Sequence, residues 1–137
     1  MEEIWKIILR IFWGSVSLIC ISTGEADKAI KILLFTMIID YISGIIKAIY
    51  TRSLNSRTGA KGFLKKIMIL CIIILAHHID IMLDIQSYRY NCRFLTIAFY
   101  FANEGLSILE NSVTCGVPVP NKIREVLEQC KNKDIRK

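Results

Sequence analysis

The chain lacks any uncharged apolar run of the length that marks a simple membrane span. About 18 consecutive such residues are needed to cross a bilayer, and the longest uncharged runs here are residues 11–24 and 67–79. It also lacks a disulfide framework. Five cysteines, Cys20, Cys71, Cys92, Cys115 and Cys130, are odd in number, and the nearest two stand 15 residues apart, which leaves no Cys-x-x-Cys metal signal either. A cleavable secretory signal is not expected, because Glu2 and Glu3 open the chain and no small-x-small pattern follows Cys20. No Ser or Cys nucleophile motif, no His-Glu-x-x-His zinc helix and no glycine-rich phosphate loop is present, so no catalytic role, cofactor or metal is expected.

What is present is apolar material in blocks. At 137 residues the chain allows one domain, and 53% apolar residues exceeds a soluble average only slightly. The mean hydropathy of +0.44 is more telling, because the apolar residues concentrate in four long blocks, about 4–22, 29–50, 63–85 and 94–114. The expectation is an all-α integral membrane protein with three to four transmembrane helices. Residues 1–116 then form the membrane region, and 117–137 a basic cytoplasmic tail containing a short amphipathic helix.

Each block carries charge, and the position of that charge is informative. In the first, Lys6 and Arg10 can snorkel toward headgroups; an amphipathic helix lying on the membrane is the competing reading, since Glu3, Lys6, Arg10, Gly14 and Ser17 share a face. The second block contains eleven Leu, Ile and Phe residues. At about 0.3 to 0.6 kcal/mol each they outweigh the roughly 3 kcal/mol cost of Asp40. Thr36, Asp40, Ser43, Gly44, Lys47 and Thr51 fall on one side of it. Asp40 then either pairs with a neighbouring helix or Lys47, or faces water.

Residues 51–62 read as a hydrophilic loop. From Lys47 to Lys66 there are six basic residues, Lys47, Arg52, Arg57, Lys61, Lys65 and Lys66, and no acid. The positive-inside rule places this segment in the cytoplasm. Anionic headgroups explain the basic run more simply than nucleic acid, because it lies between apolar spans and has no interleaved aromatics.

The third block ends on His77, His78, Asp80 and Asp84. A His-x-x-Asp-x-x-x-Asp face is able to hold a metal or relay protons, but no second ligand cluster accompanies it, which favours a helix end reaching the interface. The fourth block has a polar stripe containing Asn103, Glu104, Ser107, Glu110 and Asn111. Its nine Leu, Ile, Phe and Val residues offer about 3 to 5 kcal/mol. Two central glutamates cost about 5 to 7 kcal/mol, so this helix inserts poorly alone and needs partners or water. Gly116, Pro118 and Pro120 end it, and Asn121 caps a tail helix with Ile123, Val126, Leu127 and Cys130 on one face. Six basic residues against three acids in 122–137 agree with an N-in, C-in, four-span chain.

The run Asp40-Tyr-Ile-Ser-Gly-Ile-Ile-Lys-Ala-Ile, then Leu54-Asn-Ser, Gly59-Ala-Lys-Gly-Phe-Leu-Lys-Lys, Ala102-Asn-Glu-Gly-Leu-Ser-Ile-Leu-Glu-Asn and Gly116-Val-Pro-Val-Pro resembles the toxin-secretion and phage-lysis holin family. That family includes holins of phages of Gram-positive bacteria and holin-like proteins of clostridial toxin loci. The resemblance runs from about residue 40 to 130, and His77-His78 is not part of its pattern. It implies a protein of the bacterial cytoplasmic membrane that oligomerises with itself and opens lesions at a set moment, releasing an endolysin or a toxin without a signal peptide. Asp40, Ser43, Lys47, Asn103, Glu104, Ser107, Glu110 and Asn111 are then candidate pore-lining or inter-subunit residues, and Arg52, Arg57, Lys61, Lys65 and Lys66 set topology. A small ion or solute channel or carrier, or an antiholin-type regulator, is the alternative.

Overall fold

The computed structural model describes residues 28–86 and 91–132; the expected first span at 4–22 lies outside them. The described residues form four helices and no strands: α1 Lys28–Tyr50, α2 Ser56–Met82, α3 Cys92–Thr114 and α4 Asn121–Asn132. α1 and α2 are long and apolar enough to cross a membrane.

α3, the least apolar of the three long helices by sequence, is the hub. It packs against α1, α2 and α4, whereas α1 and α2 touch each other far less although one short turn joins them. The apolar core lies at the end of the bundle away from that turn. It is made by Ile30, Leu33 and Met37 of α1, Ile69 and Ile73 of α2 and Ile97 of α3, with Leu34, Leu70, Tyr100 and Phe101 packed around it. The outer faces of α1 and α2 stay bare: Phe35 is 65% exposed and Leu75 60%, in company with Ile42, Ile46, Leu64 and Met68. Apolar faces of this extent suit lipid rather than water.

Three helices end in the same way. After α1, the Arg52 and Ser53 amides donate to the Ile49 and Ala48 carbonyls; after α2, Asp84 and Ile85 donate to Ile81 and Asp80; after α3, Gly116 and Val117 donate to Val113 and Ser112. Each is a Schellman motif, whose turning residue takes a left-handed backbone: Arg52 at φ 52°, Asp84 at φ 50° and Gly116 at φ 82°.

These termini correct the expected boundaries. α2 starts at Ser56 rather than 63, because Asn55 caps it by accepting from the Arg57 amide at 2.9 Å, and nothing in 56–62 breaks a helix. The basic residues Arg57 and Lys61 therefore lie on helical turns, not in a loop. α2 stops at Met82 rather than 85, where Asp84 turns the chain.

Asp80 has a definite task at that end. Its two carboxylate oxygens accept from the amides of Cys92 and Arg93 at 2.7 and 2.8 Å, while Asn91 accepts from Phe94 at 2.6 Å. The first three donors of α3 are thus satisfied, two of them by an acid from the preceding helix whose charge also suits the positive end of the α3 dipole. His78 Nδ1 donates to the Ile74 carbonyl at 2.8 Å, and His77 meets His78 edge-on. The His77, Asp80 and Asp84 face does not converge on a point, and no group of three metal-ligating side chains exists among the described residues. The helix-end reading of this face is the one that the geometry carries.

Replacing Asp80 by Ala removes two charge-assisted hydrogen bonds worth about 1.5 to 3 kcal/mol each. Thermal unfolding in detergent should show Asp80→Ala destabilised by about 3 kcal/mol, whereas Asp84→Ala, whose side chain is exposed, should show far less.

Candidate functional site

The polar stripes expected on the second and fourth blocks face each other across the bundle. Their first meeting is a charge cluster. Lys66 of α2 reaches between Asp40 of α1 and Glu104 of α3, with its ammonium 2.7 Å from Asp40 Oδ2 and hydrogen-bonded to Glu104 Oε2. All three side chains are largely withdrawn from solvent, at 14% exposure for Lys66, 15% for Asp40 and 5% for Glu104. One cation therefore serves two carboxylates, and the second Asp40 oxygen, Oδ1, is buried without a protein partner.

The second meeting is one turn nearer the basic end. Asn111 of α3 accepts from Lys47 Nζ at 3.2 Å and donates to Ser43 Oγ at 2.9 Å. Ser43 Oγ in turn donates to the Asp40 carbonyl at 2.9 Å. Gly44 lies beside this contact, and a Cβ there would meet the Asn111 amide nitrogen at 3.8 Å, an ordinary van der Waals distance. Polar contacts thus run from Lys47 through Asn111 and Ser43 to the backbone of Asp40, and from its side chain through Lys66 to Glu104.

Beside this chain of contacts opens a cleft of about 620 Å³ between α1, α2 and α3. Asn103, Ser107 and Glu110 line it along α3, and Lys65, Thr58 and Gly59 along α2, with Lys131 of α4 at its edge. Seven of the eight candidate pore-lining or inter-subunit residues border this one cleft, and the eighth, Ser43, joins it only through its hydrogen bond with Asn111. Of the five basic residues expected to set topology, Lys65 and Lys66 border it too, while Arg52, Arg57 and Lys61 are exposed and do not line it.

Sequence spacing offers Asp40 a neighbouring helix or Lys47 as its partner and groups Lys66 with the basic segment. A signal existed. Ile69, Ile73, Ala76 and Asp80 are the buried residues of α2, and Lys66 precedes Ile69 by one turn on that same face. A lysine in register with a buried stripe is a candidate for an internal ion pair. Asp40 pairs across helices, and Lys47 goes to Asn111 instead.

Buried ion pairs cost little when complete and much when broken: removing one partner costs about 3 to 5 kcal/mol, and swapping a complete set for apolar groups is often neutral. Lys66→Met, which strands two carboxylates, should therefore unfold the α1–α2–α3 assembly in detergent at markedly lower temperature, by about 3 kcal/mol or more. Glu104→Gln leaves one cation with one anion and should be tolerated. Combining Lys66→Met with Asp40→Asn and Glu104→Gln should recover most of the loss.

Comparison with known proteins gives this arrangement a family. The sequence model described as the bacteriophage holin family matches residues 17–132. An uncharacterized 14.9 kDa protein of the nagH 3' region of Clostridium perfringens is 39% identical over 93% of this chain and 98% of its own length. A probable holin of Bacillus phage phi105 is 38% identical over 76% of this chain and 74% of its own. An uncharacterized protein of Listeria monocytogenes is 40% identical over 76% and 72%. No solved structure matches. With two membrane-capable helices and a family match that spans nearly all of the described residues, the chain is a membrane protein of the bacteriophage holin family.

Proposed function

We propose that the chain is a holin: it accumulates in the bacterial cytoplasmic membrane, assembles with copies of itself, and opens lesions through which an endolysin, or a toxin lacking a signal peptide, leaves the cytoplasm. The observation that carries this reading is a polar cleft enclosed by helices whose outer faces are apolar.

The depth of the cleft matters. On the buried face of α2, Lys66 and Asp80 stand 14 residues apart with only apolar residues buried between them, which is about 21 Å along the helix. A bilayer core is about 30 Å thick. Spanning it therefore draws the charge cluster and part of the cleft below the headgroups, where each unpaired charge costs about 2.5 to 3.5 kcal/mol near the centre. Pairing inside one protomer removes that cost, so a single copy is able to sit in the membrane closed. Neighbouring copies that turn the same groups toward a shared lumen replace the internal partners with water. The timing of lesion formation then depends on how readily Asp40, Lys66 and Glu104 exchange one set of partners for the other.

In this reading α1, α2 and α3 all span, residues 4–22 supply a fourth span, and both termini lie in the cytoplasm with the basic turn 51–55 and the tail. Asp40, Ser43, Lys47, Asn103, Glu104, Ser107, Glu110 and Asn111 line the lumen or meet a neighbouring copy. Anionic headgroups engage Arg52, Arg57 and Lys61.

Induced expression in a bacterium that also makes an endolysin without a signal peptide should halt growth and release the enzyme into the medium. Depolarisation without release of the enzyme would point instead to a small-solute channel. Lysis of a culture by a second holin that is merely delayed by this chain would point to a regulator. Glu104→Gln combined with Glu110→Gln should shift the onset of release, and unchanged timing would remove both acids from the proposed lumen.

A further inference from the structure

We infer that α4 is an intramolecular clasp: seated on α3 at Gly105 through Leu127, it covers a side of α3 that α1 and α2 do not pack against, and it must leave before copies assemble. This rests on the holin reading above.

α4 touches no described helix other than α3. At 12 residues it is marginal as an isolated helix, so its order depends on that single neighbour. The contact is narrow. Of the four apolar residues on one face of α4, Leu127 is buried, whereas Ile123 is 49% exposed and Val126 50%. Leu127 fits a specific gap, because a Cβ on Gly105 would lie 3.0 Å and 3.2 Å from its two methyl carbons. A side chain at 105 would oblige the Leu127 methyl groups to give way by a few tenths of an ångström.

The location of the seat gives the contact its meaning. Gly105 adjoins Glu104, so α4 runs back along α3 from the Gly116 turn as far as the level of the charge cluster, and Lys131 reaches the edge of the cleft. With α1 and α2 packed on its other sides, only Leu95, Glu110, Val113 and Thr114 of α3 are exposed, while most of its other residues are half-buried. While α4 is in place, a second copy cannot reach the Gly105 side of the polar helix. A charged helix of this kind also has no favourable place in lipid, so its removal is coupled to α3 gaining new neighbours or water.

Holding α4 in place by one buried leucine makes the seat separable from the rest of the fold. The core of Ile30, Leu33, Met37, Ile69, Ile73 and Ile97 contains no residue of α4, and neither does the charge cluster. Loss of the clasp therefore leaves the three-helix assembly intact.

The test uses the full chain, with its native cysteines replaced by serine, carrying Gly105→Cys and Leu127→Cys. A sulfur near the present Leu127 Cγ position would lie about 3.7 Å from the new Cβ at 105, so a shift of α4 toward α3 of about 0.7 Å brings it to the roughly 3 Å that separates a sulfur from its partner's Cβ in a disulfide. In the release assay with a co-expressed signal-less endolysin, a membrane-permeant oxidant should abolish release from the paired variant, and a reductant added to the same culture should restore it. The two single-cysteine variants should release enzyme with or without oxidant. Release at an unchanged time from chains shown by gel mobility to be cross-linked would overturn the clasp. Leu127→Ala offers an independent reading: at equal protein level in the membrane it should bring release forward, and delayed or absent release would mean that α4 is needed for assembly and so would also overturn it. Failure of the unsubstituted chain itself to release enzyme would bring down the holin reading, and the clasp with it.

Discussion

Everything in this bundle is arranged around one ammonium group. Lys66 bonds two carboxylates, and those carboxylates belong to the two helices on either side of it. Remove the lysine and α1 and α3 present like charges to each other in a region of low dielectric, where such repulsion is weakly screened. With the lysine in place, two membrane-capable helices and α3, which inserts poorly on its own, share a single polar layer. The apolar core on one side of that layer and the cleft on the other follow from its position.

The packing order of the helices has the same origin. α1 and α2 are the apolar members, and a hydrophobic driving force alone would pair them. They hardly touch. α3 lies between them because its polar stripe needs partners from both: Asn111 takes Ser43 and Lys47 from α1, Glu104 takes Lys66 from α2, and its N-terminal amides take Asp80 from α2. Lys66 and Asp80 thus fasten α3 at two levels of the same buried face of α2, with apolar packing in between. A helix held by directional polar contacts has a small number of alternative arrangements, whereas one held by apolar contact slides. That difference suits a molecule required to stay in one state and then change to another.

How much of this was legible in advance depends on the residue. The stripes on 29–50 and 94–114 were readable from helical spacing, as was the end of α3 at Gly116, because both follow from local backbone geometry. The start of α2 was misplaced, since hydropathy marks where apolar residues begin and not where a helix does; Asn55 decides that through its cap. The tail helix was placed correctly as an element, but its partner was not visible. Nothing in the spacing of Ile123, Val126, Leu127 and Cys130 says that Leu127 alone is buried, or that the residue it meets is Gly105. Asp80 looked like a polar residue at a helix end, which it is, but the helix that it serves is the next one.

Periodicity and motifs in the chain specify the helical class, the apolar blocks from which three to four spans are expected, the acidic and amide residues that line up on single faces, and the family. Neither needs any knowledge of neighbours. Only the tertiary structure decided which stripe meets which, that Lys66 rather than Lys47 answers Asp40, that the most polar of the long helices takes the central place, and that the tail folds back on it. Each of those is a choice among partners far apart in the chain, fixed by how few arrangements leave no buried charge without an opposite one.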